Sequence, residues 1–304
     1  MQKELSATCI GSLAAYALRV DSGSEIVGEV VSVFPSSLYI RTTNRELVFV
    51  TGRQLKSPIT LNVDSRTDFS QIVRPQDRVS ASESGVCFGE SLSIGLSGAT
   101  TCETQTTPHV HKLAITSAAL HLASLILMII DNDQSILDQS AFAHAGASKF
   151  VSDGVLPSIR TNDMSALLSA AQKVVGLGTG FTPSGDDLLG GFLATYNWFT
   201  PPIDWRRIDL SFEALEKRTH WVSAKLLDYM QRQILDEQVN AIIESATLPD
   251  DDSFLLAFQT LLPRGHTSGI DILVGALLAF GLIHDIATKD NTTSMVAKNL
   301  RLAT

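Results

Sequence analysis

The spacing of hydrophobic and polar positions changes once along the chain, and the change divides the sequence into two parts. Up to Ile94, short runs of β-branched and aromatic residues alternate with polar residues, and turn residues separate the runs. Beyond a polar segment that ends at Pro108, longer apolar runs follow helical spacing. The pattern predicts an α+β protein: a small N-terminal β-barrel or sandwich in residues 1–108, a mostly α-helical domain in residues 109–290 and a frayed tail in residues 291–304.

The predicted elements follow from this change in spacing. In the first part, the alternating runs predict strands at residues 25–34, 38–43, 47–52, 59–63, 78–82, 86–88 and 91–94. In the second part, the helical spacing predicts helices at residues 110–130, 134–147, 164–175, 184–199, 213–245, 254–262 and 268–287. The helix at residues 184–199 carries almost no charge after its first turn, so we expect it to be packed on most sides.

The composition is that of a globular protein whose charge excludes two kinds of partner. Hydrophobic residues make up 44% of the 304 residues, and the formal net charge is -9. A chain with this excess of acidic residues is unsuited to neutralising the phosphates of nucleic acid or of an anionic membrane. We therefore expect no nucleic acid partner and no membrane, and we interpret the long apolar runs as buried helices of a packed core.

The cysteines and the N-terminal residues bear on the cellular compartment. Cys9, Cys87 and Cys102 are widely spaced and form no CxxC pair, which favours reduced thiols in a cytoplasmic protein. The N-terminal residues lack a long apolar core followed by a cleavage site, so we expect no signal peptide. We therefore expect a cytoplasmic protein.

One segment of the helical part occurs twice. The sequence TPSGDDLLGGFL, from Thr182, aligns without a gap with HTSGIDILVGAL, from His266, so that equivalent residues lie 84 positions apart. Each copy contains Ser-Gly-x-Asp, the pattern of a capping box at the start of a helix. The pattern predicts that Ser184 and Ser268 are N-caps and that Asp187 and Asp271 have a structural capping role.

The start of each copy also predicts an anion site. A capping box leaves other N–H groups of the first helical turn unpaired, and these groups and the helix dipole attract phosphate or carboxylate. A glycine-rich loop precedes the first copy, and Arg264 precedes the second. We expect the two copies to pack as a pseudo-symmetric pair with their N-termini facing one cleft. The predicted substrate-binding residues of these loops are Gly178, Gly180, Thr182, Ser184, Gly185, Arg264, Gly265, Ser268 and Gly269.

Two residues near the repeated motif are candidates for catalysis. His266 can donate to an oxyanion or carry a proton near neutral pH. Asp186 has Ile270 as its counterpart in the second copy, so the shared capping geometry does not require it, and we interpret it as an acid free for metal or substrate. Thr219 and Ser223 lie four residues apart on a predicted helix and are further substrate-binding candidates. Helix hydroxyls also commonly bond back to a carbonyl one turn earlier, and this alternative stays open.

The two motifs resemble a known family. GTGFTPSGDDLLGG, from Gly178, and RGHTSGIDILVG, from Arg264, together with Thr219 and Ser223, resemble a bacterial family that includes the AllH-type subunit of oxamate carbamoyltransferase. The resemblance covers the helical part, and no motif in the β-rich part contributes to it. It implies a subunit that works with two other chains in anaerobic allantoin (purine) breakdown, where oxalurate and phosphate give oxamate and carbamoyl phosphate.

Three functions remain open at this point. The first is a carbamoyltransferase subunit that acts on small anionic substrates together with partner subunits. The second is an anion-binding or scaffold subunit without chemistry of its own. The third is a Mg²⁺-dependent enzyme in which Asp186, Asp187 and Asp271 hold the ion against a phosphorylated or carboxylated metabolite, since Mg²⁺ prefers oxygen ligands.

Overall fold

The computed structural model describes residues 2–19, 25–64, 66–104, 145–161, 165–200, 210–246 and 251–288. Contacts divide the chain into two units. One comprises Met1–Gln105 with Leu235–Glu237, and the other comprises Thr106–Ile234 with Gln238–Thr304. The helix predicted at residues 110–130, most of that at 134–147 and the frayed tail lie outside the described residues.

The first unit is a closed β-barrel. Its strands are β1 (Lys3–Gly11), β2 (Glu25–Phe34), β3 (Ser37–Thr42), β4 (Leu47–Thr51), β5 (Thr60–Val63), β6 (Arg78–Ser82), β7 (Gly85–Phe88), β8 (Leu92–Gly95) and β9 (Thr100–Cys102). They follow the order β5-β4-β3-β2-β6-β7-β8-β1-β9. Antiparallel pairing of β1 with β5 closes the ring of β1 to β8, and β9 adds to β1 in parallel. The predicted α+β class is confirmed, and of the two predicted alternatives the structure is the barrel.

Alternation along the strands explains the barrel. On β3, Leu38 and Ile40 are fully buried, whereas Tyr39 and Arg41 between them are only partly buried. The same alternation on neighbouring strands fills the interior with Val30, Val50 and other aliphatic side chains. Each strand predicted between residues 25 and 94 is present, with ends that agree to within one residue. Closure removes the exposed sheet edges that an open sheet of this length would present.

The two ends of the barrel sequence differ from the prediction. β1 and the short helix α1 (Ser12–Ala17) occupy a segment for which no element was predicted, and β9 was missed as well. Burial along β1 does not follow a regular alternation, and its first two residues are exposed charged residues. The strand is held by three neighbours, β5, β8 and β9, so its strand character comes from pairing rather than from its own pattern.

Pairing of β1 with β9 brings two of the cysteines together. Cys9 and Cys102 form a disulfide, with their Cα atoms 5.7 Å apart, and Cys87 is a free thiol. The prediction that all three cysteines are reduced is therefore wrong for this pair. The cytoplasmic localisation loses one of the two observations on which it rested and stays a prediction.

The rest of the described chain is helical. A helix α2 (Ala145–Phe150) continues through a π-helical turn, Val151–Val155, into α3 (Leu156–Thr161). The others are α4 (Ser165–Val174), α5 (Ser184–Phe199), α6 (Phe212–Leu215), α7 (Trp221–Gln231), α8 (Glu237–Ser245), α9 (Asp251–Leu261) and α10 (Ser268–Thr288). The predicted helices at residues 164–175, 184–199, 254–262 and 268–287 are confirmed, with ends that differ by three residues at most.

The single helix predicted at residues 213–245 is wrong. The structure breaks this segment into α6, α7 and α8. No proline or glycine marks either break, and at the second one Gln233 adopts a positive φ of 61°. The side-chain amide of Gln233 donates to the carbonyl of Ala194 at 3.0 Å, so a tertiary contact supports a turn that the local sequence does not signal.

The central helices α5 and α10 are packed on all sides. Every residue of α5 is buried, which confirms the expectation from its low charge. Among the described residues, α10 is long and apolar enough over Ser268–Ile286 to cross a membrane by length and composition alone, and most of it is buried within the fold. This burial agrees with its interpretation as a core helix.

Candidate functional site

Each copy of the repeated motif is a helix, a loop and a helix. In the first copy α4 leads through a loop into α5, and in the second α9 leads through a loop into α10. A Cβ atom on Gly185 would overlap the carbonyl oxygen of Val174, and one on Gly269 would overlap that of Leu261. Both glycines therefore let the start of the second helix approach the end of the preceding one. The repeat in sequence is thus a repeat in structure.

The two copies cross reciprocally. A Cβ on Gly191 of α5 would overlap the carbonyl of Ile272 on α10, and a Cβ on Gly275 of α10 would overlap the carbonyl of Leu188 on α5. Both glycines and both carbonyls are equivalent under the 84-residue offset. The arrangement confirms the expected pseudo-symmetric pair.

The loops that precede α5 and α10 meet. The hydroxyl Oγ1 of Thr182 lies 3.3 Å from Oγ of Ser268, and Oγ of Ser184 lies 3.4 Å from Oγ1 of Thr267. Each contact joins one copy to the other. The two loops therefore meet as predicted, and the cleft between them stays a prediction. We call this meeting point, formed by Thr182, Ser184, Asp187, Arg264, Thr267 and Ser268, the loop junction.

The capping-box prediction is wrong for the first copy. The N-cap of α5 is Pro183, which offers no side-chain hydrogen bond, and Ser184 is already the first helical residue. Instead of reaching back to a cap amide, the Asp187 carboxylate accepts from Thr182 Oγ1 at 3.1 Å and from the Ser268 hydroxyl. Ser268 also lies inside its helix as the first residue. A capping role of Asp271, which is fully buried, stays a prediction.

The amide groups predicted to bind an anion already have partners within the protein. The N–H of Gly185 donates to the carbonyl of Leu177 at 2.8 Å, and the N–H of Gly269 donates to the carbonyl of Arg264 at 3.0 Å. The next amide of α5, that of Asp186, donates to Pro183. The prediction that these first-turn amides are free for a ligand is therefore wrong, because each helix start is closed by the segment that precedes it.

Asp187 is a buried acid with an altered pKa. Burial raises the pKa of this carboxyl to about 6, and the neighbouring negative charge of Asp186 adds to the rise. Hydrogen bonds from Ser268 and Thr182 and the positive charge of Arg264 oppose it. At the loop junction the structure therefore holds an acid that exchanges its proton near neutral pH.

Asp186 is not a free acid. Its Oδ1 accepts from the N–H of Gly176 at 2.7 Å, and its Oδ2 accepts from the hydroxyls of Thr219 and Ser223, the latter at 2.6 Å. The residue is only 2% exposed. Burial raises its pKa, and these three hydrogen bonds and the charge of His220 oppose the rise. The interpretation of Asp186 as an acid free for metal or substrate is wrong.

The side chains of Thr219 and Ser223 do converge, but on another residue of the protein, Asp186, rather than on an open site. Thr219 lies before α7 rather than on a helix, and Ser223 is buried in its first turn. Both hydroxyls donate to Asp186 and not to a carbonyl one turn earlier. His220, the N-cap of α7, was not among the predicted residues, although its position between Thr219 and Ser223 was an available signal. Together these residues tie the start of α7 to the turn at Gly176.

We expect the substitution Asp186→Ala to destabilise the fold. Removing the carboxylate leaves the Gly176 amide and two hydroxyls without their acceptor, which should lower the free energy of unfolding by about 2 kcal/mol. Urea unfolding measures the change. The control is Asp153→Ala, an exposed helical aspartate, which should stay within about 0.5 kcal/mol of the parent chain. Parental stability of Asp186→Ala would contradict the structural role.

The remaining predicted residues lie on the loops. Gly178 and Gly180 have positive φ angles of 108° and 103°, and Gly265 has one of 61°, so these turns need glycine. His266 is exposed, and Arg264 is partly buried. The substrate-binding and catalytic roles of the loop residues stay predictions.

The described residues do not support the magnesium alternative. Within the described part of the chain, no group of three or more His, Cys, Asp or Glu side chains could hold a metal ion. Asp186, Asp187 and Asp271 therefore do not form the predicted ligand set. The physical reason is that three hydrogen-bond donors of the protein already occupy the Asp186 carboxylate, which leaves it unsuited to bind a metal ion.

The fold and the duplicated helical motif define a class of protein that combines a β-barrel unit with a helical unit. Comparison with known families shows to which family this chain belongs. Residues 174–280 match the family described as oxamate carbamoyltransferase subunit AllH, and residues 6–101 match the AllH family N-terminal domain. The two matches cover about two thirds of the chain, so this protein belongs to the AllH family. The second match extends the resemblance to the barrel, where no sequence motif indicated it. Searches of curated proteins and of solved structures found no match.

Proposed function

We propose that this protein is the subunit of a carbamoyltransferase complex that holds small anionic substrates at the loop junction. The family description, a subunit of oxamate carbamoyltransferase, supports the transferase and its partner subunits. For this chain the substrates of the proposed reaction are oxalurate and phosphate, and the products are oxamate and carbamoyl phosphate.

One observation carries the choice of site. The loops of both repeat copies converge on the Asp187 carboxyl, with Thr182 and Ser268 as its hydroxyl partners and Arg264 close enough to lower its pKa. A guanidinium binds a carboxylate or phosphate through two parallel hydrogen bonds. The junction thus combines a cation with an acid of nearly neutral pKa that two hydroxyls hold in place.

The residues of this chain have separate tasks in the proposed reaction. Arg264 holds an anionic group of a substrate, and exposed His266 beside it supplies a second donor from the same loop. Aligning phosphate with the carbamoyl carbon needs no covalent intermediate on the protein, since positioning two bound reactants by itself lowers the barrier. We propose that alignment requires a partner subunit, so the isolated chain binds an anion but turns over little.

The proposed function is tested by subunit omission. Phosphorolysis of oxalurate is measured with this chain alone, with its partner subunits alone and with all subunits together; turnover is expected only in the last case. Arg264→Ala should weaken phosphate binding about ten-fold or more, as measured by thermal shift. The matched control is Arg232→Ala, which changes a half-exposed arginine directly after α7 and should leave binding normal.

Three results would contradict this assignment. Full turnover by the chain alone would reject the need for partners. Undiminished turnover by the partners without it would reject the transferase role. Normal turnover of the complete assembly with Arg264→Ala would favour the alternative of a scaffold subunit with no substrate at the junction.

A further inference from the structure

Both copies of the repeat contribute hydrogen bonds to the carboxyl group of Asp187. Thr182, from the loop before its own helix, donates to Oδ2 at 3.1 Å, and Ser268, the first residue of the other copy's helix, hydrogen bonds to the same carboxyl. Asp187 is 9% exposed, whereas Asp186 is 2% exposed. Hydrogen bonds from both copies therefore hold the Asp187 carboxyl in one position, and a defined geometry is the first requirement for a group that transfers a proton to a substrate.

The geometry points to a catalytic role for Asp187 that rests on the proposed function: its carboxyl donates a proton to the nitrogen that leaves the carbamoyl group. The sequence pattern alone predicts a helix-capping role for this residue. In the structure its carboxyl lies instead among the side chains that we propose hold the anionic substrates.

The proposed step balances in atoms and charge. An oxygen of hydrogen phosphate forms a bond to the carbamoyl carbon of oxalurate, and the bond from that carbon to the oxamate nitrogen breaks. The nitrogen keeps the electron pair and takes the proton of Asp187. The Asp187 carboxylate then takes the proton of the attacking phosphate, so that the products are carbamoyl phosphate and oxamate and the acid is restored. An amide nitrogen is a poor leaving group without that proton, which is why the step needs an acid.

The surroundings of Asp187 suit this exchange. Its pKa of about 6 lies close to neutral, whereas an ordinary aspartate has lost its proton well below that pH. The charged groups that act on it are Arg264, which lowers its pKa, and Asp186, which raises it. A bound phosphate or carboxylate would add negative charge and favour the protonated form further. Asp186 itself is less suited to the role, because three hydrogen-bond donors of the protein already occupy its carboxyl group.

The test uses the complete assembly with Asp187→Asn and Asp187→Glu. Asparagine has the same size as aspartate and its side-chain oxygen accepts hydrogen bonds. Its amide cannot give a proton to the substrate and take one back in each turnover. We expect Asp187→Asn to lower kcat for oxalurate phosphorolysis about 100-fold or more, with KM changed by less than about three-fold. Asp187→Glu should recover part of the activity. Asp153→Asn, on an exposed helix position, is the control and should match the parent enzyme.

The pH profile separates catalysis from a structural role. The kcat of the parent enzyme should fall as pH rises above about 6, because Asp187 loses its proton. The pH profile of Asp187→Asn should lack this descending limb. Parental kcat in Asp187→Asn, or an unchanged descending limb, would overturn the role of Asp187. If inorganic phosphate no longer raised the melting temperature of Asp187→Asn, the proton-transfer role would also be overturned, and Asp187 would instead have a role in binding the substrate. If the parent assembly itself neither binds phosphate nor turns over oxalurate, the proposed function fails, a result that is distinct from these.

Discussion

The substitution Gly191→Ala is expected to lower the free energy of unfolding by about 3 kcal/mol or more. The added methyl group would overlap the carbonyl of Ile272, which belongs to the backbone of the neighbouring helix and cannot rotate away. Helices α5 and α10 would therefore have to separate at their crossing. Overpacking commonly costs about 1 to 3 kcal/mol where side chains can adjust, and we expect a cost at or above the upper end of this range because the obstacle here is backbone. Urea unfolding of the purified chain measures the loss.

The reciprocal substitution and a neighbouring glycine make this test specific. Gly275→Ala should cost about as much, because its methyl group would overlap the carbonyl of Leu188 in the equivalent contact. Gly190→Ala is the matched control: its new methyl group meets the sulfur of Met230, a flexible side chain that can move, and alanine favours the helix by about 1 kcal/mol. If all three variants were equally stable, the close crossing would be wrong.

Removing the charge of Asp187 is expected to stabilise the isolated chain at neutral and alkaline pH. The folded protein holds this carboxyl at a pKa of about 6, against 3.8 for an unperturbed group, so the folded state binds its proton more tightly than the unfolded state does. Stability therefore falls as pH rises from about 4 to 6, and the full cost of burying the charge is present above that range. The shift corresponds to about 3 kcal/mol, which Asp187→Asn should largely recover.

Thermal melts of the parent chain and Asp187→Asn between pH 4 and pH 8 measure this effect. The two proteins should be of similar stability near pH 4, and the advantage of the variant should grow up to about pH 6 and then stay constant. Asp153→Asn should show no such dependence, because that side chain is exposed. A variant that is less stable than the parent at pH 8 would show that the ionised carboxylate supports the fold.

The two predictions for Asp187 together describe a residue that favours function at the expense of stability. A charged group in a buried position costs free energy unless its partners compensate fully. Here Thr182, Ser268 and Arg264 compensate only in part, since the pKa stays raised. A variant that is both more stable and less active would fit the trade between stability and activity seen at active sites.

Local pattern was sufficient for most of the fold. The alternation of Leu38 and Ile40 with Tyr39 and Arg41 predicts a strand because side chains on a strand alternate between two faces. The low charge of residues 184–199 predicts a central helix for an equally local reason. β1 was missed because its neighbours in the barrel, and not its own sequence, hold it as a strand. The breaks between α6, α7 and α8 were missed because the turn at Gln233 depends on its contact with Ala194.

The sequence by itself determined strands β2 to β8, the central helices, the repeated motif and the resemblance to the family, because each of these depends on residues that are close together or on a repeat that can be aligned. Only the tertiary structure decided what the two acids of the motif do. Asp186 and Asp187 are neighbours in sequence, but two of the three donors that hold Asp186 are 33 and 37 residues away, and the hydroxyls of Thr182 and Ser268 that meet at Asp187 are 86 residues apart. Adjacent residues on a helix point in different directions, so the two neighbouring carboxyls have different partners: Asp186 accepts hydrogen bonds from the start of α7 and the turn at Gly176, and Asp187 accepts them from the loop junction.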